Sequence, residues 1–319
     1  MKTNKPQIIV ICGPTGSGKS SLALRLAKKY SNVEIISADS RAIYKGMDIG
    51  TAKTLPKNNN GILHHMIDIV NPNQKFTVAL FKEQATKIIK KIHRQKGIPF
   101  LVGGTGLYIS AIVDNLTIPK VKPDEKMRAN IEKEINNKGL NFVWQRLLAI
   151  DPQAQNFVQK ENPRRVIRAL EVCLKTGQPF SQLRTKSQPE FETLQIGLKT
   201  ERTKLYSQIN QRVEQMIENG LLEEIEGLIK KYSPSSPGLN SIAYQEIILY
   251  LQNKITLQEA IDLIKKNTRH YARRQITWFK KNKRIHWVTT YPQANNLIKN
   301  FLMFGHSVSK HSSALTKKI

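Results

Sequence analysis

The sequence predicts an α/β protein built on a parallel sheet, and three observations support this. Short runs rich in β-branched residues occur at 8–12, 33–38 and 100–102, and amphipathic stretches separate them. Each run ends in a glycine-rich or polar turn, which is typical of strand ends. A fourth run at 194–198 follows a long helical stretch and is expected to rejoin the sheet. Strands that alternate with helices pair in parallel, because the crossover needs a helix.

The first run leads into the strongest motif of the chain, at residues 13–20. The motif G-x-x-x-x-G-K-[ST] is matched at every fixed position, between a strand and an amphipathic helix. The alternative, a chance glycine-rich turn, is disfavoured by this context. Backbone N–H groups of such a loop surround phosphate oxygens, and the helix adds its positive end. The predicted phosphate-binding residues are Gly13, Pro14, Thr15, Gly16, Ser17, Gly18, Lys19 and Ser20. We expect Lys19 to reach the outer phosphate and the Ser20 hydroxyl to hold Mg2+.

The predicted fold class is therefore α/β, with a P-loop NTPase-like parallel-sheet core flanked by helices, a helical insertion domain and a helical C-terminal region. Pro119 and Pro123 mark the start of the insertion, which we place at 119–192. Residues 1–118 and 193–300 form the core, and 301–319 form a basic tail that we expect to be disordered. Within the insertion, 126–148 is predicted as one helix, Asp151 and Pro152 open another, and 163–172 forms a third.

Composition limits the classes of protein. The chain has 319 residues, of which 39% are hydrophobic, and no apolar run approaches the length of a membrane span. The first strand begins too early to leave room for a signal peptide. The two cysteines, Cys12 and Cys173, lie far apart and suggest neither a metal site nor a disulfide framework. A cytoplasmic protein is the simplest expectation.

The charge is the most unusual property of the composition. Lys and Arg number 51 against 24 Asp and Glu, which gives a formal net charge of +27. An enzyme of small metabolites does not need this excess, which points to a polyanion such as nucleic acid. The alternative is a source organism whose proteins are generally rich in lysine.

Two polar turns follow predicted strands and should lie beside the phosphate loop, because ligands of open α/β sheets bind at the carboxyl ends of strands. Asp39 follows the second strand, and Thr105 follows the third within a glycine-rich turn. Asp39 could act as a metal ligand through water, as a base or as a reader of a base amine, and a helix N-cap is an equal alternative. No acidic residue ends the strand at 100–102, which weakens the ATPase and GTPase hypotheses.

The segment after Asp39 is predicted as a loop at 43–53 and a short strand at 63–69. His64 and His65 are adjacent, so in a strand they face opposite ways and do not form a paired metal site. We favour structural roles for both. A helix with an apolar stripe is predicted at 76–95.

A later helix carries an arginine on its apolar face. Its stripe consists of Leu205, Ile209, Val213, Met216 and Ile217, and Arg212 falls on the same side. A guanidinium in that position needs an anion, which could be a ligand or a structural carboxylate.

Two more helices are predicted at 239–251 and 257–281. From 265 to 284 there are nine basic residues and no acidic ones, with Tyr271, Trp278 and Phe279 among them. Basic groups with aromatic platforms suit single-stranded or loop nucleic acid. The alternative, a solvated helix face, would normally mix charges of both signs.

Five segments together resemble the bacterial tRNA dimethylallyltransferase family, also called tRNA isopentenyltransferases or IPP transferases. They are residues 13–20, 39–53, 101–108, 162–171 and 268–279, and the match runs in order from about 7 to 290. Asn240 and Ser241 depart from the family, which more often has small apolar residues there.

The resemblance implies transfer of a dimethylallyl group from dimethylallyl diphosphate to N6 of adenosine 37 in tRNA. Asp39, Thr105 and Arg212 are the implied catalytic residues, and Asp39 would accept the N6 proton. The target base must be flipped out of its stack. The implied tRNA-binding residues are Asp39, Ser40, Arg41, Ala42, Thr105, Arg128, Arg164, Arg165, Val166, Ile167, Arg168, Arg273, Arg274, Gln275 and Trp278.

We expect a monomer that binds Mg2+, dimethylallyl diphosphate and the tRNA anticodon stem-loop. Two other classes remain open from the residues alone. A P-loop nucleoside or nucleotide kinase would share the phosphate loop, and an RNA-binding ATPase would share the loop and the basic helix.

Overall fold

A six-stranded, fully parallel sheet forms the centre of the molecule, in a computed structural model that describes residues 5–53, 59, 61–119, 121–183 and 187–306. The strands are β1 (Gln7–Cys12), β2 (Val33–Ser37), β3 (His64–His65), β4 (Ile98–Gly103), β5 (Glu192–Leu198) and β6 (Ile285–Val288), in the order β3-β2-β4-β1-β5-β6. The predicted α/β class is confirmed, as is the return of the chain to the sheet at β5.

The helices are α1 (Lys19–Ala27), α2 (Val78–Arg94), α3 (Gly106–Val113), α4 (Glu125–Lys138), α5 (Leu140–Ile150), α6 (Pro163–Thr176), α7 (Phe180–Leu183), α8 (Arg202–Glu218), α9 (Leu221–Ile229), α10 (Tyr244–Leu251), α11 (Leu257–Lys280) and α12 (Tyr291–His306), with a short 3-10 helix at Pro152–Asn156. None of the described helices is long and apolar enough to cross a membrane.

Two hydrophobic layers cover the sheet, because the apolar residues of β1 are buried on both faces. Ile8 and Val10 pack with residues of α2 and α3 on one side, whereas Ile9 and Ile11 pack with α1 and α12 on the other. A central parallel strand therefore reads as a continuous apolar run rather than an alternating one.

A third cluster joins α8, α9, α10 and α11 to the loop at 43–53. Glu224 of α9 accepts hydrogen bonds from the N–H groups of Asp48 (2.8 Å) and Ile49 (2.7 Å) and from the Tyr244 hydroxyl (2.6 Å). The Lys53 ammonium is fully buried and donates to Asp48 and Asp68, at 2.6 Å each. These charged contacts hold a polar, glycine-containing loop in one conformation beside the sheet edge.

The chain divides into two compact units, Met1–Val113 with Glu190–Ile319 and Asp114–Pro189. The predicted insertion is a helical unit of its own, and its boundaries fall a few residues earlier than 119 and 192. Its entering and leaving segments are joined by hydrogen bonds, from Asn115 Nδ2 to the carbonyl of Gln188 (2.8 Å) and between the hydroxyls of Thr117 and Ser187 (3.1 Å).

Several predicted boundaries are wrong for local reasons. The helix predicted at 126–148 is two helices, because Gly139 breaks it with a φ of +82°. The helix predicted from 239 begins only at Tyr244, after turns that end at Ala243 with a φ of +77°. The predicted disordered tail begins inside α12, which continues to His306; residues 307–319 lie outside the described part of the chain.

Candidate active site

A cavity of about 370 Å³ opens at the carboxyl edge of the sheet, in the larger unit. It brings together Lys19 and Ser20 of the phosphate loop with Asp39 and Arg212, which the sequence predicted from three separate segments. Other walls come from the loop at 50–53, from α8 and α11, from β2 and β4, and from the turn at 240–243, which includes Asn240 and Ser241.

The phosphate loop has the conformation that its glycines predict. It begins where β1 ends, and Gly16 and Gly18 have φ values of +79° and +83°, in the left-handed region that favours glycine. Gly18 is the N-cap of α1, so Lys19 and Ser20 lie in the first helical turn. The Lys19 ammonium donates to the carbonyl of Pro14 at 3.3 Å.

Lys19 is a cation in an environment that disfavours its charge. Burial lowers the pKa of Lys19 to about 8; the negative charge of Asp39 opposes this shift, and the positive charge of Arg212 adds to it. Two cations near each other without a bound anion are mutually unfavourable. The arrangement is what an anion-binding site requires before its ligand arrives.

Arg212 enters the cavity from the buried side of α8. Its Nη1 lies 3.4 Å from Thr15 Oγ1, its Nη2 lies 3.3 Å from the carbonyl of Thr51, and its buried Nε has no partner. Burial lowers the pKa of Arg212, and Asp39 opposes that shift. Among the described residues no carboxylate forms an ion pair with Arg212, so the alternative of a structural ion pair is wrong.

Asp39 is held in a turn rather than at a helix start. Its Oδ1 accepts the N–H of Arg41 at 2.8 Å, and residues 40–46 form turns and a bridge, so the N-cap alternative is wrong. The Thr105 hydroxyl accepts the N–H of Ser40 at 3.0 Å and donates to the Ser40 hydroxyl at 3.4 Å. Thr105 therefore fixes the turn that presents the Asp39 carboxylate.

The glycines around Thr105 allow helix α11 to approach closely. A Cβ at Gly104 would lie 2.3 Å from Nε2 of Gln275, and one at Gly106 would lie 2.3 Å from Cδ1 of Trp278. This explains the glycines by packing, where the sequence suggested close approach of a ligand.

Residues of α11 divide between an inner and an outer side. Gln275 is 6% exposed and hydrogen-bonded to protein groups, so the predicted RNA contact of its side chain is corrected to an internal one. Arg273 and Arg274 are exposed, and Trp278 is 37% exposed. The Arg274 guanidinium lies 5.8 Å from the ring centre of Tyr271.

Several of the nine basic residues predicted as one surface have protein partners, among them Arg284, whose Nε donates to Asn282 at 3.3 Å. Lys265 pairs with Glu214 at 2.7 Å, and Arg269 donates to Asn210 at 2.7 Å. The basic surface is therefore smaller than the sequence suggests, and its exposed part is concentrated after residue 272.

The predicted RNA-binding segment of α6 lies in the smaller unit. Arg164 and Arg165 are exposed, as predicted, whereas the side chains of Val166 and Ile167 are buried and cannot reach a surface ligand. Ala42, in the larger unit, is 6% exposed but lines the cavity, so its contact with RNA stays a prediction.

Arg128 and Arg168 are already paired in the smaller unit. Their guanidinium groups hold the fully buried Glu171 carboxylate at 2.8 and 2.6 Å, and together with the N–H of Asp124 they lower the pKa of Glu171 against the effect of burial. The structure thus gives both arginines a structural partner, and their contact with RNA stays a prediction.

The two adjacent histidines have protein partners. Nδ1 of His64 lies 2.9 Å from the carbonyl of Ile62, and Nε2 of His65 lies 2.6 Å from Glu34. Within the described residues there is no group of three His, Cys, Asp or Glu side chains that could hold a metal. His64 also lines the cavity, and the structural interpretation of the two histidines stays a prediction.

Sequence reasoning missed Lys53, whose buried ammonium lines the cavity and donates to the carbonyl of Tyr44 at 2.8 Å as well as to its two carboxylates. It also missed α3, α9, β6 and α12. The heptad-like spacing of Leu221, Ile225 and Leu228, with acidic residues in the first turn after Gly220, was a usable signal for α9.

The fold and the site define a P-loop α/β protein with a cationic cavity next to a basic helix. A family model described as IPP transferase matches residues 42–282. A tRNA dimethylallyltransferase of Carboxydothermus hydrogenoformans is 45% identical over 284 residues, which cover 88% of this chain and 91% of the relative. The chain belongs to the IPP transferase family.

Solved structures agree with this assignment. The full-length tRNA isopentenylpyrophosphate transferase of Bacillus halodurans has 38% identity and a TM-score of 0.72, over 96% of this chain and 100% of that one. A eukaryotic dimethylallyltransferase acting on tRNA has 28% identity and a TM-score of 0.73, over 93% of this chain and 78% of that one.

Proposed function

We propose that this protein transfers a dimethylallyl group from dimethylallyl diphosphate to N6 of adenosine 37 in tRNA, and releases diphosphate. The observation that carries the proposal is the pair of cations Lys19 and Arg212 at the phosphate loop, with the Asp39 carboxylate in the same cavity. Membership of the IPP transferase family supports it, and so does the absence of an acidic residue at the end of β4, which a P-loop hydrolase or kinase would use for its metal.

On the donor side, the protein binds the leaving diphosphate. Backbone N–H groups of the phosphate loop, Lys19 and Arg212 stabilise the negative charge that grows as the C–O bond breaks. The apolar side chains of Ile209, Val213 and Met216 on α8 line the cavity beside Arg212 and suit the dimethylallyl chain.

On the acceptor side, Asp39 orients the nucleophile. The N6 lone pair forms the new C–N bond while the C–O bond breaks, and the Asp39 carboxylate accepts the N6 proton. Thr105 acts through Ser40 by fixing the turn that carries Asp39.

The site also suits Mg2+. The Ser20 hydroxyl and the Asp39 carboxylate line one cavity, and both are the hard oxygen donors that Mg2+ prefers alongside phosphate oxygens and waters. A bound Mg2+ would neutralise part of the diphosphate charge.

Binding of the RNA is assigned to exposed groups. Arg273, Arg274 and Trp278 on α11, and Arg164 and Arg165 on α6, offer charge for phosphates and a ring for an unstacked base. The free, buried thiols of Cys12 and Cys173 suit a reducing cytoplasm, and we propose that the protein acts there as a monomer.

The test is direct incubation with dimethylallyl diphosphate, Mg2+ and unmodified tRNA, followed by digestion to nucleosides and mass spectrometry. We expect N6-dimethylallyladenosine from the wild type and none from Asp39→Asn. This variant keeps the shape of the side chain, and we expect it still to bind tRNA. Absence of product from folded wild type would contradict the proposal. ATP turnover without prenyl product would favour a kinase, and RNA binding alone would favour an adaptor.

A further inference from the structure

One buried side-chain amide, that of Gln275, joins helix α11 to the phosphate loop and to the turn that follows β4. The Gln275 side chain projects from the inner side of α11, where its Oε1 accepts the N–H of Thr15 at 2.8 Å and its Nε2 donates to the carbonyl of Gly104 at 2.9 Å. The amide is 6% exposed. It thus bonds the phosphate loop on one side and the turn before Thr105 on the other.

Each of these contacts continues into the reacting groups. On the donor side, Thr15 Oγ1 lies 3.4 Å from Nη1 of Arg212, which faces the diphosphate in the proposed function. On the acceptor side, the residue after Gly104 is Thr105, whose hydroxyl holds the turn of Asp39 through Ser40. Gln275 therefore sets the distance between the leaving-group half of the site and the nucleophile half.

The same helix carries exposed groups assigned to RNA. Arg274 precedes Gln275 directly, and Trp278 lies three residues after it, with its ring against Gly106. An RNA that contacts Arg274 and Trp278 would therefore touch the segment of α11 from which Gln275 projects.

We propose that Gln275 is a positioning residue that couples RNA binding on α11 to diphosphate binding in the phosphate loop. Both ligands favour the arrangement in which the amide bonds Thr15 and Gly104, so each raises the affinity of the other, and thermodynamic linkage makes the two effects equal. This inference rests on the proposed function, because it takes the RNA and the diphosphate as the two ligands.

The test measures the affinity for inorganic pyrophosphate with and without an anticodon stem-loop RNA, by calorimetry with the full chain. We expect RNA to tighten pyrophosphate binding by about tenfold in the wild type, within the usual range of coupling between sites. In Gln275→Ala the ratio should fall to within about twofold of one, whereas the affinity for RNA alone stays near the wild-type value. The control Gln258→Ala removes an exposed glutamine from the same helix and should leave the ratio unchanged.

A second variant displaces the amide without changing it. In Gly104→Ala the new Cβ would lie 2.3 Å from Nε2 of Gln275, the end of a flexible side chain, and 3.3 Å from the carbonyl oxygen of Gly13. We expect the amide to move aside and lose its contact, and circular dichroism checks that the variant folds. Gly104→Ala should reduce the ratio as Gln275→Ala does, and the double variant should lose no more than either alone.

The outcomes separate this inference from the function on which it rests. A wild type that makes prenylated nucleoside while both variants keep the full coupling ratio would overturn the role of Gln275 alone. A folded wild type that makes no product would overturn the proposed function whatever the ratios are. If Gln275→Ala loses affinity for RNA alone by as much as the coupling ratio falls, the inference is also overturned, because Gln275 would then be an RNA contact.

Discussion

At the scale of single residues, the site depends on two buried cations, Lys19 and Arg212, that form no ion pair within the described part of the chain and have only Asp39 as a nearby opposite charge. Lys19 and Arg212 could be predicted as phosphate ligands, from a motif and from an arginine on an apolar stripe. That Arg212 forms no ion pair with any carboxylate of the described residues could not be predicted, because the answer depends on side chains brought together from α1, α8 and the loop at 50–53.

The lowered pKa of Lys19, about 8 in the free site, predicts a dependence of anion binding on pH. Only the protonated ammonium attracts diphosphate, and the bound anion raises its pKa, so binding takes up a proton above pH 8. The affinity for pyrophosphate should be about tenfold weaker at pH 9 than at pH 7 from this group alone.

Titration calorimetry at the two pH values measures this effect. The control is Lys19→Gln, in which only the ionisation of pyrophosphate, and not that of Lys19, changes the affinity with pH. The difference between wild type and control isolates the lysine. An equal dependence on pH in both proteins would show that Lys19 stays charged throughout.

Ala243 predicts a gain in stability on substitution. Its φ of +77° and ψ of −40° are costly for any residue with a Cβ, and glycine adopts them freely. Ala243→Gly should raise the free energy of unfolding by about 1 kcal/mol after the entropy cost of glycine in the unfolded chain.

Urea denaturation followed by circular dichroism tests this, with Ala79→Gly as the comparison at an exposed alanine of α2. That control should lose stability, since glycine is the poorer helix former. A loss of stability in both variants would show that the lost packing of the buried Ala243 methyl group and the flexibility of glycine outweigh the strain that is relieved.

At the scale of elements, the glycine motif and the apolar periodicities predicted β1, β2, β4, β5, α2, α6, α8 and α11. These patterns do not reveal a break that depends on the backbone conformation of one residue, as at Gly139, or an element as short as β6. It also failed on side chains of α6, because periodicity shows which face is buried but not which charges pair.

Helix α6 therefore yields a prediction that separates exposed arginines from paired ones. The double substitution Arg164→Ala and Arg165→Ala should weaken RNA binding and reduce the slope of log affinity against log salt by roughly 1.4, for two phosphate contacts at about 0.7 each. Its melting temperature should stay unchanged, because both side chains are exposed.

Arg168→Ala is the matched comparison. It removes one of the two arginines that hold the buried Glu171 carboxylate, and should lower the melting temperature of the smaller unit. RNA binding measured by fluorescence at several salt concentrations, together with thermal melts, distinguishes the two variants. An unchanged salt slope in the double variant would remove Arg164 and Arg165 from the RNA-binding surface.

At the scale of the whole molecule, the insertion was predictable from proline-flanked helical patterns, and its boundaries were nearly so. The contacts at the junction could not be predicted, because the hydrogen bonds from Asn115 to Gln188 and between Thr117 and Ser187 join residues far apart in sequence.

Removal of the insertion at that junction tests whether the larger unit binds pyrophosphate by itself. Replacing residues 116–187 by a short Gly-Ser linker should leave pyrophosphate affinity within about threefold, well below the 1.4 kcal/mol that a tenfold change represents. The phosphate loop, Lys19 and Arg212 all belong to the larger unit.

Calorimetry of the excised protein measures the affinity for pyrophosphate, and circular dichroism checks that the protein folds. The affinity for RNA should fall, because Arg164 and Arg165 are removed. Loss of pyrophosphate binding in a folded protein would show that the insertion completes the anion site.

The sheet order has a consequence for synthesis on the ribosome. Strand β1 lies between β4 and β5, and β5 follows the whole insertion in sequence. At ordinary rates of translation, the ribosome needs on the order of 5 to 20 s to proceed from the end of β4 to the end of β5. During that interval one edge of the most apolar strand lacks its neighbour, and unpaired edges of this kind invite association with other chains. Nascent chains of this protein are therefore expected to need protection, by chaperones or by the ribosome surface, until β5 emerges.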